Sequence, residues 1–174
     1  MYSRQVLLFL LVFLSAVFYS CGKQAPQLPS NKGERAESKE VKALLKLNLT
    51  LAQREDSVVE VYVLKHDDQL VKSELGFWYH IQSVTNGQQL KDKDSCQFRW
   101  KVSLLDGKVV RDENQSAVMG HKDMIKGLEE GLKLMHKGET ARFVIPWYLA
   151  YGRKGDALAI PPYTSICCQV TLFK

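Results

Sequence analysis

The stretch GLEEGLKLMHKGETARFVIPWYLAYGRKGDALAIPPYTSICCQVTLF, residues 127–173, carries the pattern that decides the fold. Read with the residues just before it from Asp123, its first part places Met124, Ile125, Leu128, Leu132 and Met135 on one helical stripe. Asp123 complements the start of that helix, and Gly138 stops it after Lys137. Residues 139–145, ETARFVI, and 166–173, ICCQVTLF, alternate as strands. Between them, residues 146–165 read PWYLAYGRKGDALAIPPYTS: aromatics, two glycines and a double proline, with little that acts as a nucleophile or strong base.

Working outward, Gly76-Phe77-Trp78-Tyr79-His80-Ile81 begins strand territory, and Thr85-Asn86-Gly87 is a turn. Residues 96–105 alternate as a strand, Asp106-Gly107 signals a hairpin, and KVVRD forms the return. The elements add up to an α+β arrangement, an antiparallel sheet with one short helix against it. Glu129 and Glu130 read as a solvated helix face, since adjacent helical residues diverge. His121 and His136 read as surface residues. Leu128, Leu132 and Met135 are expected in the core whatever the function.

The pieces IKGLEEGL, MHKGETARFVIP, LAYG and AIPPYTSI, in this order and with the hairpin VSLLDGKVV, resemble an FKBP-type peptidyl-prolyl isomerase over residues 76–174. The resemblance implies a bent five-stranded antiparallel sheet wrapped around one short helix, with an apolar proline pocket between them. It also implies rotation about an X–Pro bond, with no covalent bond made or broken. That rotation faces a barrier of ~18–20 kcal/mol. A dry aromatic pocket with a few oriented donors suits it, which accounts for the poverty of nucleophiles in 146–165. Carried onto this sequence, the resemblance gives Tyr151 the hydroxyl that bonds the bound carbonyl. Ile125 supplies a backbone N–H at the helix start, and Ile160 is the apolar residue closing over the ligand. Met124 lines the rim, Leu128 the pocket floor, and Trp100 an aromatic wall where a tyrosine is usual.

Three positions depart from the family pattern. Val110 and Arg111 stand where Phe-Asp is usual, replacing an aromatic with a smaller side chain and reversing a charge. Cys168 stands where an aromatic wall residue is usual. The segment between Arg111 and Gly120 is also short. These departures bear on catalytic efficiency, and they motivate a second reading: a slow or non-catalytic chaperone or assembly factor that keeps the pocket.

The N-terminus adds an address. Arg4 precedes the apolar run Val6 to Tyr19, too short for the ~20 residues of a spanning helix but suited to a signal peptide. Ser20-Cys21-Gly22 then resembles a bacterial lipobox, with Cys21 the acylated residue; the alternative is ordinary secretion with an incidental cysteine. The expected organisation is a signal peptide over 1–20, a flexible tether over 21–40, a helical extension over 41–75 and the FKBP-like domain over 76–174. The lipobox, the extension and the GFWYHI strand resemble the gliding-motility-associated lipoproteins of this family. The implied setting is a periplasm-facing, lipid-anchored monomer of the bacterial cell envelope whose partners are the membrane and proline-containing exported polypeptides. In that oxidising compartment Cys96, Cys167 and Cys168 either include one bridge or stay as three buried thiols.

Composition excludes other classes. The chain has 174 residues, 45% hydrophobic, and a net charge of +5. Its lysines are scattered, without the clustered basic and aromatic residues of a nucleic-acid surface. No phosphate loop or metal-ligand spacing occurs, so neither metal nor cofactor is expected.

Overall fold

The structure, a computed structural model, describes residues 31–174 apart from Asp68. The described residues fall into two units, with the boundary between Leu44 and Leu45. The export signal over 1–20, acylation at Cys21 and the first half of the expected tether lie outside the described residues.

Helix α1 runs Asn31–His66 as one element of 36 residues. It starts inside the segment read as tether, because Glu, Arg, Lys and Ala there are good helix formers even with no face to bury. It stops well before residue 75: the Tyr62 and His66 rings stack with centroids 4.3 Å apart, and the Asp67 N–H closes the last turn on Val63. Among the described residues no helix is long and apolar enough to cross a membrane.

Strands β1 (Val71–Lys72), β2 (Trp78–Ser83), β3 (Ser95–Leu104), β4 (Val109–Val118), β5 (Thr140–Ile145) and β6 (Ile166–Leu172) follow, with helix α2 (Lys126–Lys133) between β4 and β5. All pair antiparallel in the order β1-β2-β5-β6-β3-β4. The α+β class is as expected. The sixth strand is β1, where two residues pair with Trp78 and Tyr79 but are too few to show an alternation in sequence. β4 runs on to Val118 through the polar DENQSAV, which suits its place at the sheet edge.

Alternation along β3 turns Cys96, Phe98, Trp100 and Val102 inward, and β6 does the same with Ile166, Cys168, Val170 and Leu172. Leu128 and Leu132 of α2, with Met135 beyond it, close the core at 0% exposure. Each such side chain contributes roughly 1.5–3 kcal/mol relative to exposure. The helix lies close to β5 because two glycines one turn apart face it. A Cβ on Gly127 would come within 2.4 Å of Ile145 Cγ2, and one on Gly131 within 2.6 Å of Phe143.

The outer face of the sheet is covered by the second half of α1, where Val59 and Val63 pack with Leu70 and Val144. Asp56 accepts a hydrogen bond from Tyr148 and Glu55 one from Ser165, so the helix also grips both ends of the 146–165 stretch. Other apolar residues of α1, among them Leu45, Leu47, Leu49, Val58, Val61 and Leu64, are exposed.

Glu129 corrects the solvated-face reading. It is 5% exposed and accepts the Gly120 N–H at 2.8 Å, because the β4–α2 connection turns back over the helix and needs an acceptor there. Glu130 does face outward, paired with Lys126 and Lys133. His121 is exposed and His136 half-buried.

Candidate functional site

A cleft of about 410 Å³ opens where β3, β4, the approach to α2 and the turn after β5 converge. Trp100, Arg111, Met124, Ile125 and Tyr151, all singled out in the sequence, line it together with Gln115, Lys122, Asp123 and Ala150. Leu128, Ile160 and Cys168 do not line the opening. They belong to the core cluster that also holds Trp100, with Val110 packed against it. Ile160, expected as a closing residue, is 3% exposed.

Ile125 sits at the N-cap of α2 with extended backbone (φ −65, ψ 145), which is why the helix begins at Lys126, two residues after the first member of the stripe, Met124. Its N–H is one of those a helix start leaves without an intrahelical acceptor. Tyr151 follows a 3-10 turn over Trp147–Leu149, fixed by the Ala150 and Gly152 N–H groups on Trp147 and by the Trp147 N–H on Ser165 Oγ at 2.9 Å. Burial pushes the Tyr151 hydroxyl up from its ordinary value, with Arg111 pulling against it, so Tyr151 stays a neutral donor.

The remainder of the stretch locks on itself. Asp156 Oδ1 accepts the N–H groups of Leu158, Ala159 and Ile160 at 2.9, 2.9 and 2.8 Å, while the Asp156 N–H returns to the Ile160 carbonyl at 3.1 Å. Burial alone would raise the Asp156 carboxyl. The Ile160, Leu158 and Ala159 donors and Arg111 outweigh it and hold the group below the usual carboxylate range.

Across the cleft, β4 carries a bulge: Val102 opposes Arg111 and Ser103 opposes Val109, leaving Val110 as the extra residue. A bulge bends its strand and re-aims side chains. Here Val110 packs on the core and Arg111 lies over the Trp100 ring, its guanidinium carbon 5.6 Å from the centroid. Arg111 also donates to Glu113 and Asp156, each at 3.2 Å. Trp100 Nε1, the polar tip that replaces a phenol, is buried without a hydrogen-bond partner.

A family profile described as FKBP-type peptidyl-prolyl cis-trans isomerase matches residues 86–173, half of the chain. The chain belongs to this family. It is 34% identical over 105 residues to the FKBP-type isomerase FkpA of Escherichia coli, covering 58% of this chain and 38% of that one. To the macrophage infectivity potentiator of Trypanosoma cruzi it is 35% identical over 82 residues, 45% of this chain and 42% of that one. It thus spans under half the length of both relatives. Among solved structures, crystalline FkpA from Escherichia coli superposes with a TM-score of 0.61 at 24% identity, covering 95% of this chain and 79% of the other. AtFKBP13 gives 0.58 at 21%, covering 60% and 97%. At those identities the likeness is one of fold.

Within this FKBP domain, Cys96 and Cys168 are buried free thiols and Cys167 is a half-buried one, so none of the three is bridged. Cys167 donates to the Tyr62 hydroxyl across 3.4 Å, and burial pushes both neighbouring thiols up. What sequence reasoning missed is Asp156 as the partner of Arg111, 45 positions away. An Asp four residues ahead of Ile160 was the available signal, since Asp side chains accept from backbone just downstream. Among the described residues no cluster of three or more His, Cys, Asp or Glu has metal-site geometry.

Proposed function

We propose that this protein is a peptidyl-prolyl cis-trans isomerase acting on exported polypeptides. The supporting observation is the meeting of a neutral Tyr151 hydroxyl and the helix-start N–H of Ile125 beside the Trp100 wall of one cleft. Water favours the planar, dipolar amide over the twisted one; a prolyl bond seated against Trp100, with two oriented donors in place of water, meets a smaller difference. Tyr151 and Ile125 bind the substrate carbonyls, Trp100 and Met124 border the prolyl ring, and no group exchanges a proton.

The same reading places Cys21 as the acylated terminus, tethering the domain to the membrane on the periplasmic side, as in the gliding-motility-associated lipoproteins that the N-terminus resembles. Acylation with two or more chains gives stable anchoring. Cys21→Ala should move the protein from the membrane to the soluble fraction; unchanged fractionation counts against the anchor.

A second reading, a slow chaperone or assembly factor, is favoured by Arg111 lying across the cleft and by Leu158, 89% exposed at the tip of its loop. Isomerisation of X–Pro peptides by the purified protein decides between them. Catalysis above the spontaneous rate, reduced in Tyr151→Phe, supports the enzyme. A rate at background with suppression of client aggregation leaves only the chaperone.

A further inference from the structure

The established motif leaves Arg111 without an assignment, since it stands where the family carries an acid. Its surroundings give it one. One guanidinium faces two carboxylates, Glu113 and Asp156, so it has no spare charge with which to recruit an acidic client. Its partners differ in setting. Glu113 is half exposed, whereas the Asp156 side chain is 6% exposed and the Arg111 side chain 26%, so the Arg111–Asp156 pair is only weakly screened. Asp156 uses its two oxygens for different tasks. Oδ1 gathers the three N–H groups that lead to Ile160, and Oδ2 accepts from Arg111 Nη2. Arg111 itself is pinned over Trp100 from below.

We infer that Arg111 is a positioning residue of the cleft: through Asp156 it clamps the segment 156–160 to the β4 wall and sets the gap between Trp100 and Tyr151. The clamp rests on the isomerase reading of the site for its consequence in turnover, but its geometry is independent of that reading. With Arg111 in place the cleft is preformed, and the substrate does not have to order the loop as it binds. Loss of the clamp therefore falls on KM and leaves kcat nearly constant. Lysine, which keeps the charge without the fork, restores part of the effect. Asp156→Asn keeps a carbonyl oxygen for the three loop N–H groups while removing the charge that holds Arg111.

The test is a double-mutant cycle in the full chain. KM for an X–Pro peptide should rise about threefold to tenfold in Arg111→Ala and in Asp156→Asn, the range that the net loss of one hydrogen bond gives. The double variant should be no worse than the worse single, and Arg111→Lys should fall between. Additive losses overturn the clamp, as does an effect confined to kcat. Amide exchange at Leu158, Ala159 and Ile160 is read in parallel and needs no turnover. It should quicken in Arg111→Ala and stay unchanged in the control Arg99→Gln; unaltered exchange in Arg111→Ala also overturns the clamp. A wild-type protein with no isomerase activity sinks the functional reading instead, leaving the exchange data to judge the clamp.

Discussion

The two walls of the cleft are held by different kinds of bond. Residues 146–165 are secured by backbone groups: the 3-10 turn, the Asp156 ring of N–H donors, and two carboxylates of α1 at either end. The β4 wall presents side chains from a bulged edge strand, and its reach across the cleft is one guanidinium. A wall fixed by backbone tolerates little change of sequence. A wall made of side chains accepts a reversed charge and keeps the fold, as Arg111 does here.

The comparison breaks first at Gly155. Its φ is +68, and a Cβ would sit 2.1 Å from the Ile160 carbonyl, so Gly155→Ala strains and displaces the loop. The left-handed backbone alone costs about 1–3 kcal/mol. Thermal melting should fall by several degrees and most isomerase activity should disappear; a variant with wild-type melting and activity would show that the loop wall is not rigid. Ser165→Ala comes next. It leaves the Trp147 N–H and the Glu55 carboxylate without their partner at a 2% exposed site, a loss of roughly 1–3 kcal/mol seen in chemical denaturation.

Tyr151→Phe should leave melting unchanged and lower kcat/KM severalfold, since one hydrogen bond is worth about 1 kcal/mol net. Acid sharpens the contrast. The Asp156 carboxyl is held below its ordinary value by loop N–H groups and Arg111, with Tyr151 nearby, so its stabilisation is complete above about pH 4 and fades as pH falls through the lowered folded-state value. The melting difference between wild type and Asp156→Asn should therefore shrink on acidification below pH 4, and a constant gap would contradict the assignment. Arg99→Gln removes an exposed ion pair with Asp112 on the same hairpin and should change neither melting nor turnover.

The loop wall was legible because its signals are local: glycines where the chain reverses, Pro161-Pro162 beyond Ile160, and alternating strands on either side. The α2 stripe was legible for the same reason. Other features depend on partners distant in sequence. Glu129 looked solvated until Gly120 was placed over it, and Asp156 looked like a loop residue until β4 brought Arg111 alongside. The helical extension was legible as a helix, and of its described apolar residues Val59, Val63 and Tyr62 pack on the sheet while Leu45, Leu47 and Leu49 stay exposed. Periodicity states which face is apolar and is silent on how much of it another element covers.

The strand order has a consequence for the protein's own synthesis. β6, the last of the described strands, lies between β5 and β3 and pairs with both. Without it the sheet is two fragments, β1-β2-β5 and β3-β4, each with an open edge that invites other chains. A chain emerging N-terminus first therefore cannot complete its core, or offer Ser165 to Glu55 across 110 positions, until residues 166–172 arrive. Such long-range closure makes assembly late and cooperative, with a window of vulnerability before it.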